Sequence, residues 1–441
     1  MTTYWAEHAC LPTGFATAVR IGIEGDRFRS IQSRANPRPG DVRLPGVVLP
    51  GLANAHSHAF HRALRGRTHN GAGNFWSWRD GMYAVAQRLN PESYLALARA
   101  TYAEMALAGI TVVGEFHYVH HRPGGGPYDD PNAMGAALTQ AASDAGIRLT
   151  LLDTCYLTGG LTADGHLPLD EVQTRFSDGS VGAWAERAGE RKPSDLVRLG
   201  AAIHSVRAVP RDAAAGVAES SREMPLHVHL SEQQAENLAC QMFYGRTPTG
   251  LLADIGVIGP DLTAVHATHL TDADIVLLGR SGSQVAFCPT TERDLADGVG
   301  RARDLADAGV RLSLGSDQHA VIDPFEEARG LEMHERLTSN ERGRFETTDL
   351  LRAATADGYR SLGWSDGGRI ATGALADLVS VRHDSVRTVG SKASQILYCA
   401  TAADVHTVVV GGRVIVEDGH HLLGPVAPLL RDALDLLRDD G

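Results

Sequence analysis

The sequence predicts an α/β protein built on a closed (β/α)8, TIM-like barrel, with a small β domain drawn from both ends of the chain. Three observations predict it. Eight short apolar runs alternate with helical patterns through the middle of the 441 residues. Segments that alternate apolar and polar positions around Gly turns lie near the two termini. Polar, chemistry-bearing residues follow nearly every apolar run, at the strand ends where barrel enzymes build their sites. A doubly wound open sheet is the alternative, and it accounts less well for the third observation.

Taken in order, residues from Ala16 to Gln32 alternate around a Gly-Asp turn, a hairpin signal. A Pro- and Gly-rich connection follows. The eight apolar runs are VVLPGLANAHSH, ITVVGEF (110 to 116), RLTLLDTCY (148 to 156), VRLGAAIHS (197 to 205), PLHVHLSE (225 to 232), LTAVHATHL (262 to 270), QVAFCPTTE (284 to 292) and VRLSLGSDQH (310 to 319). Near-continuous apolar strands suit a parallel barrel because both faces of each strand are buried. Helical patterns fill the gaps, among them PESYLALARATYAEMALAG, TDADIVLLGRSG and DPFEEARGLEMHERL. Several open on Asp or Thr as N-cap and close on Gly. ALADLVSVRH and DVHTVVVGGRVIVEDGHH return to the short-strand style. The expected division is 51–363 for the barrel, and 1–50 with 364–441 for the β domain.

A net charge of −12 leaves no basic stripe to release counterions, which argues against a nucleic-acid or anionic-membrane partner. The five cysteines are scattered and form no CxxC pair, so reduced thiols in a reducing compartment are expected. The N-terminus lacks a basic region followed by an apolar core, and a cytoplasmic protein is the expectation.

The chemistry begins at His56 and His58. Side chains two apart on a strand point the same way, so both imidazoles can reach one ion. The other strand ends offer His227 and His229 with Glu232, then His266 and His269, then Asp317. Three imidazoles and a carboxylate suit a catalytic divalent metal, zinc first. His227 sits one layer below His229 and is either a ligand or a buried structural residue. His269 reads as packing behind His266.

The motifs PGLANAHSHAF, HLSEQ, VHATHL, GSDQH and GALADLV resemble the amidohydrolase superfamily, over essentially the whole chain. The resemblance implies a metal-bearing barrel with a small β-sandwich built from both termini, and a homodimer. Several members hold two metals bridged by a carbamylated lysine. The only lysines here, Lys192 and Lys392, lie away from the strand ends, which implies a single metal.

NFWSWRDGMYAVAQRL, EFHYVHH, HSVRAVP and CPTTERDLADG look like the formimidoylglutamate deiminase branch, whose members convert N-formimino-L-glutamate to N-formyl-L-glutamate and ammonia in histidine breakdown. Zinc held by His56, His58, His229 and Asp317 would lower its water's pKa to about 7. Asp317 would take the water's proton, Glu232 would carry a proton to the departing nitrogen, and His266 would stabilise the attacking oxygen. Arg79 and Arg207 lie in segments matching the family's carboxylate-binding regions, with Tyr118 and His204 as hydrogen-bonding neighbours. An arginine fork can bind a carboxylate bidentately. Trp76 and Trp78 read as packing.

Two positions depart from the family pattern. His61 stands in place of glutamine and, as a residue that ordinarily titrates near neutral pH, is expected to alter substrate contact or pH profile. Gln318 stands where a small residue is usual. The segment RPGGGPYDDP is a candidate lid. The alternatives are a related deaminase acting on guanine or an adenosine derivative, and a non-catalytic assembly protein on the same barrel.

Overall fold

The computed structural model describes residues 1–68 and 75–438, with the side chains of the helix Phe75–Arg88 described from Trp78 onward. At its centre, eight parallel strands follow each other in chain order: β1 (Leu52–Ser57), β2 (Ile110–His117), β3 (Arg148–Cys155), β4 (Val197–Ile203), β5 (Leu226–Leu230), β6 (Leu262–His266), β7 (Gln284–Phe287) and β8 (Arg311–Leu314). A parallel bridge between Ser57 and Asp317 joins the end of β1 to the turn after β8 and closes the ring. Two backbone hydrogen bonds secure the closure, Asp317 N to His56 O at 3.0 Å and His58 N to Asp317 O at 3.2 Å. Every residue of β1, β2, β3, β5, β6 and β7 is buried, which explains why these segments read as apolar runs without alternation.

The first run divides into two strands. Val42–Pro50 pairs with Thr2–Leu11 and with Leu378–Val381 in the terminal sheet, and the chain then turns at Gly51 into β1. A side chain at Gly51 would run into the hydroxyls of Thr111 and Tyr359, so the turn depends on a bare backbone. The terminal sheet is one mixed sheet of eight strands drawn from both ends of the chain. Its expected hairpin pairs Gly14–Glu24 with Arg27–Gln32 across Gly25, at φ +60°. Val19, Ile21 and Phe28 anchor a core of its own.

The expected helices form where their caps predict. Asn90 caps Pro91–Leu107, Thr271 caps Asp272–Ser281 ahead of a left-handed Gly282, and Asp323 caps Pro324–Ser339. The run 284–292 is strand only as far as Phe287. Pro289 opens the helix Pro289–Asp294, since proline's fixed φ and missing N–H suit a first helical turn. Glu292 thereby turns back toward the strand ends. No helix among the described residues is long and apolar enough to cross a membrane.

Candidate active site

The strand ends bring His56, His58, His229, His266 and Asp317 to one point at the barrel mouth. The backbone there bends sharply. His266 and Asp317 adopt left-handed φ of 68° and 41°, as do Ser231 at 51° and Ala267 at 50°. Each costs about 1–2 kcal/mol for a residue with a Cβ, and such strain persists where surrounding contacts impose it.

The Nε2 atoms of His229 and His56 lie 3.1 Å apart, and those of His229 and His58 lie 3.4 Å apart. Asp317 Oδ1 is 3.3 Å from His56 Nε2 and 3.4 Å from His58 Nε2. The tautomers decide what these distances mean. His58 Nδ1 sits 2.9 Å from the Phe116 carbonyl and His229 Nδ1 sits 2.9 Å from the His204 carbonyl. A carbonyl only accepts, so both Nδ1 atoms carry the proton and both Nε2 atoms present lone pairs to each other. A cation between them resolves the conflict. Ligands about 2.0–2.1 Å from a tetrahedral zinc lie roughly 3.3–3.4 Å from one another, so the four residues fit a metal ion.

Their protonation states fit as well. Burial pushes His56 down to about 3 and His58 down to about 4, and holds His229 well below its ordinary value. Burial opposes ionisation of Asp317, but the hydrogen bond to His56 and the neighbouring histidines hold it below the carboxylate range. Neutral imidazoles and an ionised carboxylate are what a metal requires.

His266 lies beside this set, with Nε2 3.8 Å from Glu232 Oε1 and 3.9 Å from Asp317 Oδ2. Its Nδ1 is 3.4 Å from Glu292 Oε1. Burial favours the neutral ring, yet Glu232, Glu292 and Asp317 override it and raise the group to about 10. The sequence reading missed Glu292. The signal was Pro289, which starts a helix inside an apparent strand.

Above the cluster opens a cavity of about 310 Å³. His58, His61, Arg79, Tyr118, His204, Arg207, Glu232, His266 and Asp317 all line it, so the sequence-predicted substrate contacts converge with the metal donors. Arg207 Nη2 is 3.3 Å from Glu232 Oε2, and Arg79 Nε donates to Tyr83 Oη at 2.7 Å. Gln173, which opens the short 3-10 helix Gln173–Phe176 and carries no sequence signal, donates to Tyr83 Oη at 2.9 Å and Tyr156 Oη at 3.1 Å and so orders the far wall. Trp78 packs edge-on against His61, with ring centroids 5.0 Å apart. The Trp76 side chain lies outside the described residues.

The lid expectation is corrected, and four other residues are placed. His61 is buried, with Nε2 3.1 Å from Tyr118 Oη, and burial holds it well below 6.5, which favours the neutral ring. Gln318 turns away from the cavity and donates to Asp294 Oδ2 at 2.7 Å. His227 points its Nε2 at the Ser361 carbonyl, 2.9 Å away, as a structural residue below the site. His269 stands outside the donor cluster, as expected. The Gly-rich segment 122–131 does not line the cavity; the hairpin Gly160–Thr162 with Gly165–Leu167 does.

The Amidohydrolase family matches residues 47–415. A formimidoylglutamate deiminase of Pseudomonas aeruginosa is 37% identical over 96% of each chain. A 5-methylthioadenosine/S-adenosylhomocysteine deaminase of Natronomonas pharaonis is 29% identical, over 84% of this chain and 82% of that one. Among solved structures, an amidohydrolase from Brucella melitensis superposes with a TM-score of 0.91 and 32% identity, covering 99% of this chain and 100% of its own.

Proposed function

The chain belongs to the amidohydrolase family, and from that premise we propose that it is a metal-dependent deiminase converting N-formimino-L-glutamate to N-formyl-L-glutamate and ammonia, in histidine breakdown. One observation carries the reading: His58, His229 and Asp317 of the donor cluster line the same small cavity as Arg79 and Arg207, the first set suited to hydrolysis and the second to a dicarboxylate.

His56, His58, His229 and Asp317 would hold one divalent ion, with zinc the best match to three nitrogens and one oxygen. When bound, such an ion supplies hydroxide at neutral pH by lowering the pKa of water to about 7. The chain's own groups do the rest. Asp317, ionised at the cluster, accepts the proton released as water attacks the formimino carbon. Glu232, reaching both Arg207 and His266, delivers a proton to the nitrogen that leaves as ammonia. His266 presents positive charge beside the oxygen that gains electron density. Arg207 and Arg79 bind the substrate carboxylates, with His61, Tyr118 and His204 on the same wall.

We assign residues 51–363 to the hydrolase domain and 1–50 with 364–441 to the terminal domain, supported by the separate core around Val19, Ile21 and Phe28. A cytoplasmic setting is supported by the five unpaired cysteines. A homodimer rests on the family resemblance.

A second reading, a deaminase of an adenosine derivative or guanine, draws support from the Natronomonas relative and from Tyr83, Tyr118, Tyr156 and Phe176 in the cavity wall, which could stack on a ring. An ammonia-release assay separates the two. N-formimino-L-glutamate is expected to be hydrolysed well above guanine and S-adenosylhomocysteine, and no ammonia from it overturns the proposal.

A further inference from the structure

The outer face of a barrel strand, lying against its helices, is ordinarily apolar, and burying a carboxyl there is costly unless it is hydrogen-bonded. Behind the metal cluster that rule is broken. Glu115, on β2 and 0% exposed, receives a hydrogen bond from Ser57 Oγ at 2.7 Å and from the Ala59 backbone N–H at 2.7 Å. Ser57 Oγ lies 3.2 Å from His319 Nε2, and His319 Nδ1 lies 3.0 Å from Ser316 Oγ. Asn54 closes the chain, donating to Ser316 Oγ at 2.7 Å while its own Oδ1 accepts the Ser316 N–H at 2.9 Å. All five residues are buried.

Their positions in the chain are telling. Ser57 lies between His56 and His58 and faces the opposite side of the strand. Ser316 precedes Asp317, and His319 follows it by two residues. The turn they hold is strained, with Asp317 at φ 41° and His319 at φ 60°. Two left-handed non-glycine residues within three positions need external contacts to persist, and the chain from Glu115 to Asn54 supplies them across the seam where β1, β2 and the β8 turn meet.

We propose that Glu115, Ser57, His319, Ser316 and Asn54 form a clamp of positioning residues, which fixes the Asp317 turn against the His56–His58 strand so that the donors are set for an ion before it binds. The clamp touches neither the ion nor the substrate. It acts by holding β1 and the β8 turn in register, so the readout is metal affinity and is independent of which substrate the enzyme takes.

The test titrates Zn2+ into metal-stripped protein against a chromophoric chelator, alongside the melting temperature of the metal-free form. Ser57→Ala and His319→Ala are each expected to weaken zinc binding about 10- to 100-fold, the range for lost partners of metal ligands. The double variant should be little worse than either single one, because both cut the same chain. His319→Gln, whose amide can still bridge Ser57 and Ser316, should recover most of the affinity. Unchanged zinc affinity in both alanine variants overturns the proposal. So does an equal loss in His319→Gln, or a loss matched by collapse of the metal-free fold in all three, since the residues would then be structural only.

Discussion

Arg207 Nη2 lies 3.3 Å from Glu232 Oε2, so the arginine expected to read a substrate carboxylate already touches the carboxylate expected to move the proton. Substrate and Glu232 would then share one guanidinium. Removing a charged hydrogen-bond partner costs about 1.5–3 kcal/mol. Arg207→Ala should raise KM for N-formimino-L-glutamate roughly 10- to 100-fold. Arg207→Lys should recover part of the loss, because a point charge remains without the planar fork. Equal effects on an adenosine substrate would argue against a carboxylate role.

Glu232→Gln keeps the shape and the contact with Arg207 but cannot carry a proton. Turnover should fall by about 10² to 10⁴, with zinc content unchanged by elemental analysis. Full activity in this variant would remove Glu232 from the reaction.

Stripping the metal leaves the lone pairs of His58 and His229 facing each other at 3.4 Å. Chelation should abolish activity and lower the melting temperature, since the ion binds the folded state alone. One equivalent of Zn2+ should restore both. Asp317→Ala should fail to recover on zinc addition.

His61 is held neutral by burial, with His58 adding a smaller effect in the same direction. His61→Gln should therefore leave the pH profile of kcat/KM where it is, while altering KM through the contact with Tyr118. A displacement of the profile by more than about half a pH unit would mean that His61 titrates in the working range.

Acid should destabilise the fold at a group that does not line the cavity. Burial first, then Arg187, lowers His120 from 6.5 to about 4, against the opposing pull of Asp153 and Asp178. Because the folded value is depressed, the stabilisation from the neutral ring is complete above pH 6.5 and is lost as pH falls from 6.5 toward 4. At 1.36 kcal/mol per pH unit it amounts to about 3 kcal/mol. Urea midpoints measured across that window should fall more gently in His120→Asn than in the parent protein.

Much of this was legible in the chain. The barrel strands could be placed because burial on both faces forces apolar runs, and helix ends could be placed because Asn90, Thr271 and Asp323 cap by local chemistry. The misreadings share a cause. Val47 to His58 reads as one apolar run with the domain boundary at Gly51, but that the chain passes there between two strands of different sheets, and needs a bare backbone beside Thr111 and Tyr359, shows only in the fold. Glu292 was hidden because its helix begins inside an apolar run. Gln173 had no local mark at all, since its partners Tyr83 and Tyr156 are remote in sequence.

The sequence by itself determined the donor types and the common face of His56 and His58, because strand alternation is a property of two adjacent peptide units. Only the tertiary structure decided that His229, His266 and Asp317 meet them, that His61 stays neutral and that His227 does not take part. Those outcomes depend on barrel closure between Ser57 and Asp317, and on burial and neighbouring charge, which arise only when residues far apart in the chain are packed together.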